Sequence, residues 1–263
     1  MISGLGFFEI LVILLMVLMF FGSKELPHFI REGARLIAKI RRYGDKVRRE
    51  LNDVTQLEEP VQTYENEVNS QKNKIRAVCK KKRDSLTENE RKDKSARIVQ
   101  YLFETDEFKE AKAVMIYAAI KTEVQTEDCI HTMLQIGKRV ILPFCRPQTT
   151  EMGVAEIKDF SRDVAPGKFN ILEPHKELWD NFFKSDLQLI ICPGVGFDKY
   201  GGRLGYGKGY YDYFLREIKD KITMIGFAFQ CQILNESIPF DYHDIPVDII
   251  VTENGVQKIE KST

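Results

Sequence analysis

Gly201-Gly202-Arg203-Leu204-Gly205-Tyr206-Gly207-Lys208-Gly209-Tyr210-Tyr211-Asp212 is the stretch from which the organisation of this 263-residue chain is read. Glycines alternate with other residues at 205, 207 and 209. Lacking a Cβ, glycine takes positive φ at no steric cost, so such a run turns backbone N–H groups toward one point. Arg203 and Lys208 add positive charge, and Tyr210, Phe214 and Ile218 recur every four residues as one face of a helix. Backbone donors, two cations and a helix start suit an anion such as a phosphate. The plainer alternative is a glycine-rich turn that only reverses the chain. Gly202, Gly207 and Lys208 also fit part of a P-loop, but Gly209 stands where its Mg²⁺-binding Ser or Thr belongs. Residues 193–201 further separate the glycines from the apolar run Leu187–Cys192, so the P-loop is rejected.

Outward from the glycines, short β-rich runs alternate with helical patterns. Val114–Ala118, Arg139–Phe144, Leu187–Cys192, Ile222–Phe229 and Val247–Val251 read as strands; Thr126–Ile136 and Gly209–Ile218 read as helices. Such alternation predicts an α/β fold, a mostly parallel sheet with helices on both faces in a Rossmann-like three-layer arrangement. Residues 152–174 read as a strand plus irregular loop. Upstream, Lys72–Arg83 reads as a basic helix with Ile75, Val78 and Cys79 on one side. Thr87 and Glu90 form a capping box that starts a helix through about Glu104. Ligands collect at the carboxyl ends of the strands in such sheets, and the glycine loop follows Leu187–Cys192.

Pro193-Gly194-Val195-Gly196-Phe197-Asp198 followed by the run Gly202–Asp212 resembles the signature of the 5-formyltetrahydrofolate cyclo-ligases, over residues 72–255. The resemblance implies Mg²⁺- and ATP-dependent cyclisation of 5-formyltetrahydrofolate to the 5,10-methenyl compound, with release of ADP and phosphate. The formyl oxygen would attack the γ-phosphoryl group, and N10 would then displace phosphate. It assigns Arg203 and Lys208 as the catalytic cations. ATP would be held by Lys72, Arg76, Arg203, Leu204, Gly205, Tyr206, Gly207, Lys208, Gly209, Tyr210 and Tyr211. Tyr117, Glu123 and Tyr210 would meet the folate, which Phe169–Pro174 would help to enclose. Gln125 departs from the acid more common at its position. Asp212 and Asp248 are the Mg²⁺ candidates, Asp248 because a carboxylate inside Pro246–Val251 needs a partner or a cation. For each there is an ordinary alternative: a solvated basic helix for Lys72 and Arg76, a helix-start acid for Glu123, core aromatics for Tyr210 and Tyr211, and an acid paired with a helix N-terminus for Asp248.

The 39 basic and 39 acidic residues cancel, so net charge gives no argument for nucleic acid. The balance hides a gradient: residues 24–50 hold nine basic and four acidic residues, whereas 52–70 hold five acidic and none basic. Five cysteines without C-x-x-C spacing read as reduced thiols, and four scattered histidines suggest no zinc site. Ile10–Phe21 is an unbroken apolar run. As a helix, Leu5–Gly22 is about 27 Å long, just short of a hydrocarbon core of ~30 Å. A signal peptide would want a basic start and a small-residue cleavage site, both missing here, and a buried helix is the remaining competitor. The basic flank favours a single uncleaved span, its C-terminal side cytoplasmic.

Leu26, Phe29, Ile30, Leu36, Ile37, Ile40, Tyr43, Val47 and Leu51 recur at three and four, opposite Arg31, Arg35, Lys39, Arg42, Lys46 and Arg49. A basic amphipathic helix of this kind suits an anionic membrane surface, or else docks on the soluble domain. Phe7–Leu15, Phe21–Pro27 and this helix together are similar to TatA/TatB-type twin-arginine translocase components over residues 1–55, with Ser23 departing from the family's proline and Glu9 matching its polar position. The resemblance implies the bacterial inner membrane, contact with lipid, self-oligomers and a TatC-type partner. The chain thus divides into a membrane segment over 1–51, an acidic linker over 52–70 and a cyclo-ligase domain over 71–263. The alternative is a translocase subunit whose soluble domain is a nucleotide-binding or inactive appendage.

Overall fold

The computed structural model describes residues 66–147, 149, 151–218, 222–241 and 243–260. The expected membrane span, the amphipathic helix and most of the linker lie outside these residues. No helix among the described residues is long and apolar enough to cross a membrane.

The first described element, α1, spans residues 66–84. Its buried positions are Val68, Lys72, Cys79 and Arg83, one helical stripe that includes two cations. Val78 is 52% exposed, so the expected apolar side including Val78 is corrected: spacing from Cys79 turns Val78 outward. The same stripe starts inside the last residues read as linker, since Val68 is buried. Next comes α2 (Glu88–Glu104), capped as expected: Thr87 accepts from Glu90 N, and Glu90 reaches back to Thr87 N. The short α3 (Asp106–Glu110) follows.

The strands are β1 (Ala113–Met115), β2 (Arg139–Cys145), β3 (Met152–Ile157), β4 (Val164–Pro166), β5 (Leu172–Pro174), β6 (Leu189–Cys192), β7 (Gly196–Asp198), β8 (Arg203–Leu204), β9 (Thr223–Phe227), β10 (Ile233–Leu234), β11 (Ile249–Thr252) and β12 (Gly255–Lys258). Between them lie the helices α4 (Glu127–Gln135), α5 (Phe160–Asp163) and α6 (Tyr210–Arg216). The seven-stranded sheet runs β12-β11-β9-β6-β1-β2-β3. Its five inner strands are parallel, and an antiparallel strand closes each edge.

Strand residues alternate between two cores. Val114, Val140, Leu142, Leu189, Ile191 and Ile225 face Ile98, Leu102, Phe108, Ile130 and Met133 of α2, α3 and α4. Met115, Ile141, Ile190, Met224 and Ile250 face Phe214 and Leu215 of α6, with Phe182 and Leu187 filling the same side. Both faces are covered, which is why the inner strands read as unbroken apolar runs. On the second face the described residues place the short α6 with loop residues such as Phe182 and Leu187. Four strands are shorter than expected: β1 ends at Met115, β6 begins at Leu189, β9 spans Thr223–Phe227 and β11 begins at Ile249. One consequence concerns Asp248: it precedes β11, and its Oδ2 accepts a 2.8 Å bond from Met224 N in β9.

Candidate functional site

The loops after β1 and β6 and the end of β2 enclose a cleft of about 540 Å³, which also takes in α1, β5 and the glycine loop. Its position at the carboxyl ends of the parallel strands is the expected one.

The glycine loop leaves the sheet through β8, which pairs antiparallel with β7. Gly207 and Gly209 adopt φ of 86° and 70°, left-handed values that turn the chain into α6. At Gly207 a Cβ would also sit 3.3 Å from the Arg76 guanidinium, so the loop and α1 approach closely. Arg76 Nε donates to Gly205 O at 2.8 Å, tying the helix to the loop. Burial holds the Arg76 guanidinium below its ordinary value, against the opposing pull of Asp244 and Asp212.

Arg203 is buried, and its Nη2 lies 2.5 Å from Asp212 Oδ1. Its Nε is buried without a partner, and its guanidinium lies over the Tyr211 ring at 5.5 Å. Lys208, in contrast, is exposed at the loop tip. Lys168 Nζ donates to the Tyr210 hydroxyl at 2.7 Å.

The other end of the cleft is built by the turn 117–126. Thr126 Oγ1 donates to Tyr117 O and accepts from Ala119 N, closing the turn on itself. Tyr117 is buried, and its hydroxyl donates to Val124 O at 3.1 Å. Glu123 is 5% exposed; Oε2 accepts from Ile120 N at 3.0 Å and Oε1 from the Tyr206 hydroxyl at 2.9 Å. Burial pushes the Glu123 carboxyl above its ordinary value despite these bonds. Burial likewise pushes the Tyr206 phenol up to about 12.

The structure therefore brings together Arg76, Tyr117, Glu123 and all of Arg203–Asp212 around one cleft. Two expected site residues stand apart. Lys72 is not among the lining residues; its Nζ lies 2.5 Å from Asp244 Oδ2, and Asp244 does line the cleft. Asp248 also stands outside the lining, bonded to the start of β9. Among the described residues no three His, Cys, Asp or Glu gather as a metal cage.

Several cleft residues escaped the sequence reading. Arg83 is fully buried, donating from Nε to Thr122 Oγ1 and from Nη2 to the Tyr206 hydroxyl. Its periodic spacing from Lys72 and Cys79 was available, but the basic run around it hid the signal. Phe144 lines the cleft and stacks on Trp179 with centroids 4.2 Å apart. Glu173, within the loop already singled out, is buried and accepts from Cys145 N. Asp244 lies in a segment with no local motif.

The sequence model of the 5-formyltetrahydrofolate cyclo-ligase family matches residues 68–253, and that of the mttA/Hcf106 (TatA/B/E) family matches residues 3–50. The mouse 5-formyltetrahydrofolate cyclo-ligase is 32% identical over 197 residues, covering 72% of this chain and 96% of its own. The enzyme from Haemophilus influenzae is 30% identical over 70% of this chain and 100% of its own. Among solved structures, the 5,10-methenyltetrahydrofolate synthetase from Aquifex aeolicus superposes with a TM-score of 0.64 at 34% identity, over 73% of this chain and 94% of its own. That from Mycoplasma pneumoniae superposes with a TM-score of 0.55 at 26% identity, over 69% and 98%. The family match, the identities and the superpositions agree with the sequence signature, and the chain belongs to the 5-formyltetrahydrofolate cyclo-ligase family.

Proposed function

We propose that the chain cyclises 5-formyltetrahydrofolate to 5,10-methenyltetrahydrofolate at the expense of ATP, within the cleft between α1, the turn 117–126 and the glycine loop. The observation that carries this reading is the polarity of that cleft. One end is a buried carboxylate among apolar and aromatic walls, and the other is a glycine turn with Arg76, Arg203 and Lys208. A flat heterocycle with N–H groups suits the first end, and a polyphosphate suits the second.

The residues at the glycine end fit a nucleotide. Among the described residues Arg203 presents a buried Nε with no partner and Lys208 is exposed with no ion pair, and positive-φ glycines let a ligand approach the backbone. Arg203, Lys208 and the loop N–H groups would hold the phosphates. Mg²⁺ fits as an ion carried largely on phosphate oxygens, with Asp212 as the carboxylate nearest the glycine turn in sequence and Asp244 also on the cleft wall; bound there, the ion would neutralise phosphate charge. Asp248, bonded to Met224 N and outside the cleft, is not retained as a ligand. The chain's own contribution is positioning: Arg203 is fixed by Asp212, and Arg76 is fixed by Gly205. Lys72 serves by anchoring Asp244 at the cleft wall.

We further propose that residues 1–51 tether the enzyme to the bacterial inner membrane with the enzyme domain on the cytoplasmic side, and contribute to a Tat-type assembly. The family match over residues 3–50 and the apolar run support this reading. Incubation of the full chain with 5-formyltetrahydrofolate, ATP and Mg²⁺ tests the activity. One methenyl product is expected for each ADP and phosphate released, with no product when ATP or Mg²⁺ is omitted. Product formation without ATP, or none at all, refutes it.

A further inference from the structure

The Tyr206 hydroxyl joins two groups of opposite character at the closed end of the cleft. It accepts from Arg83 Nη2 at 3.0 Å and donates to Glu123 Oε1 at 2.9 Å. Arg83 is 1% exposed, and its Nη1 is buried without any partner. Its nearest carboxylate, Asp84, lies 4.0 Å from Nε and is itself 41% exposed. Burial also works against the negative form of Glu123. A buried guanidinium with an unused donor and weak charge compensation is costly, and a carbonyl acceptor supplied by a ligand relieves that cost. Tyr206 is the movable part of the arrangement: it is 48% exposed and sits between Gly205 and the positive-φ Gly207.

We propose that Arg83 is a specificity-determining residue, paired with Glu123 to read a lactam edge, and that Tyr206 is its displaceable cover. A lactam places a carbonyl acceptor beside an N–H donor, the mirror image of the donor and acceptor that the phenol bridges. The carbonyl takes the guanidinium N–H groups and the N–H takes the carboxylate, as the phenol swings away. This rests on the folate reading above, since the oxidised or reduced pterin ring carries such an edge. A 4-amino ring, which offers a donor where the lactam offers an acceptor, should be discriminated against at Arg83.

The test is binding of folic acid and of its 4-amino analogue to the full chain. The readout is quenching of the single tryptophan, Trp179, which stacks on the cleft residue Phe144. Wild type should prefer folic acid by at least about tenfold, and Arg83→Gln, whose amide oxygen accepts from an amino group, should cut the preference below about threefold. Tyr206→Phe, a change at a half-exposed side chain, should tighten folic acid binding while keeping the preference. An unchanged preference in Arg83→Gln overturns the proposal alone. Failure of wild type to bind either probe overturns it together with the folate reading. If Arg83→Gln does not fold, weaker folic acid binding in Tyr206→Phe overturns it, because the phenol would then be a ligand contact rather than a cover.

Discussion

Arg203 and Asp212 form an ion pair at 2.5 Å, with side chains 2% and 22% exposed, across the turn that joins β8 to α6. The pair holds the glycine loop in shape from beneath. Removing one charge leaves the other poorly solvated, and breaking such a pair costs about 3–5 kcal/mol when both partners are deeply buried. Asp212 is partly exposed, so Asp212→Asn should cost about 2–3 kcal/mol on the same scale. Urea unfolding measures this, and a loss below about 1 kcal/mol would show that the pair does not hold the loop. The same variant should raise the Mg²⁺ requirement of turnover more than it weakens folate binding.

Lys208 behaves oppositely because it is exposed and has no ion pair among the described residues. Lys208→Ala should leave stability within about 0.5 kcal/mol of wild type. It should raise the KM for ATP roughly tenfold or more, since a charge-assisted bond contributes about 1.5–3 kcal/mol. Unaltered nucleotide kinetics would take the lysine out of the phosphate end.

These two side chains show what the sequence makes legible. Alternating glycines with flanking cations announced a turn facing an anion, and Gly207 and Gly209 do adopt positive φ. Local spacing carries that information. What it does not carry is long-range pairing: Lys72 and Asp244, 172 residues apart, meet only because α1 packs beside the segment before β11. Arg83 was invisible for a related reason, since a basic run looks solvated until tertiary packing buries one member. Asp248 has apolar neighbours that suggest a strand interior, yet it precedes the strand and meets Met224 N.

The Lys72–Asp244 contact is itself testable. The two side chains are 6% and 22% exposed. A double-mutant cycle with Lys72→Met and Asp244→Asn should give a coupling of about 1–3 kcal/mol, the range for residues in one buried network. Coupling near zero would mean that α1 docks through its other contacts, Val68, Arg76, Cys79 and Arg83.

Glu123 should trade stability for function with a definite pH sign. Its folded pKa lies above the ordinary carboxyl value because burial disfavours the charged form. The native state therefore binds the proton more tightly, and the carboxyl's contribution to stability is greatest below the unfolded pKa. It is lost as pH rises through the folded pKa. Glu123→Gln removes this dependence, so its stability relative to wild type should improve between pH 4 and pH 7 in urea unfolding. The variant should also bind folate more weakly. A stability difference independent of pH would mean that the carboxyl titrates as it does in the unfolded chain.

The membrane proposal separates by salt. The full chain should stay with membranes at high ionic strength, whereas residues 23–263 should bind anionic vesicles and release as screening grows. Sedimentation with vesicles reads both. Recovery of the full chain in the soluble fraction would withdraw the span and leave the enzyme reading intact.

On the proposed function, one cleft divides its work between a folate end and a phosphate end. The most direct measurement is methenyl product formation by the full chain and by its Arg203→Ala, Lys208→Ala double variant, with folate binding followed through Trp179. The two lost contacts should together slow turnover by more than about 100-fold, while folate binding stays within about threefold of wild type. Turnover at the wild-type rate by the double variant would contradict the account.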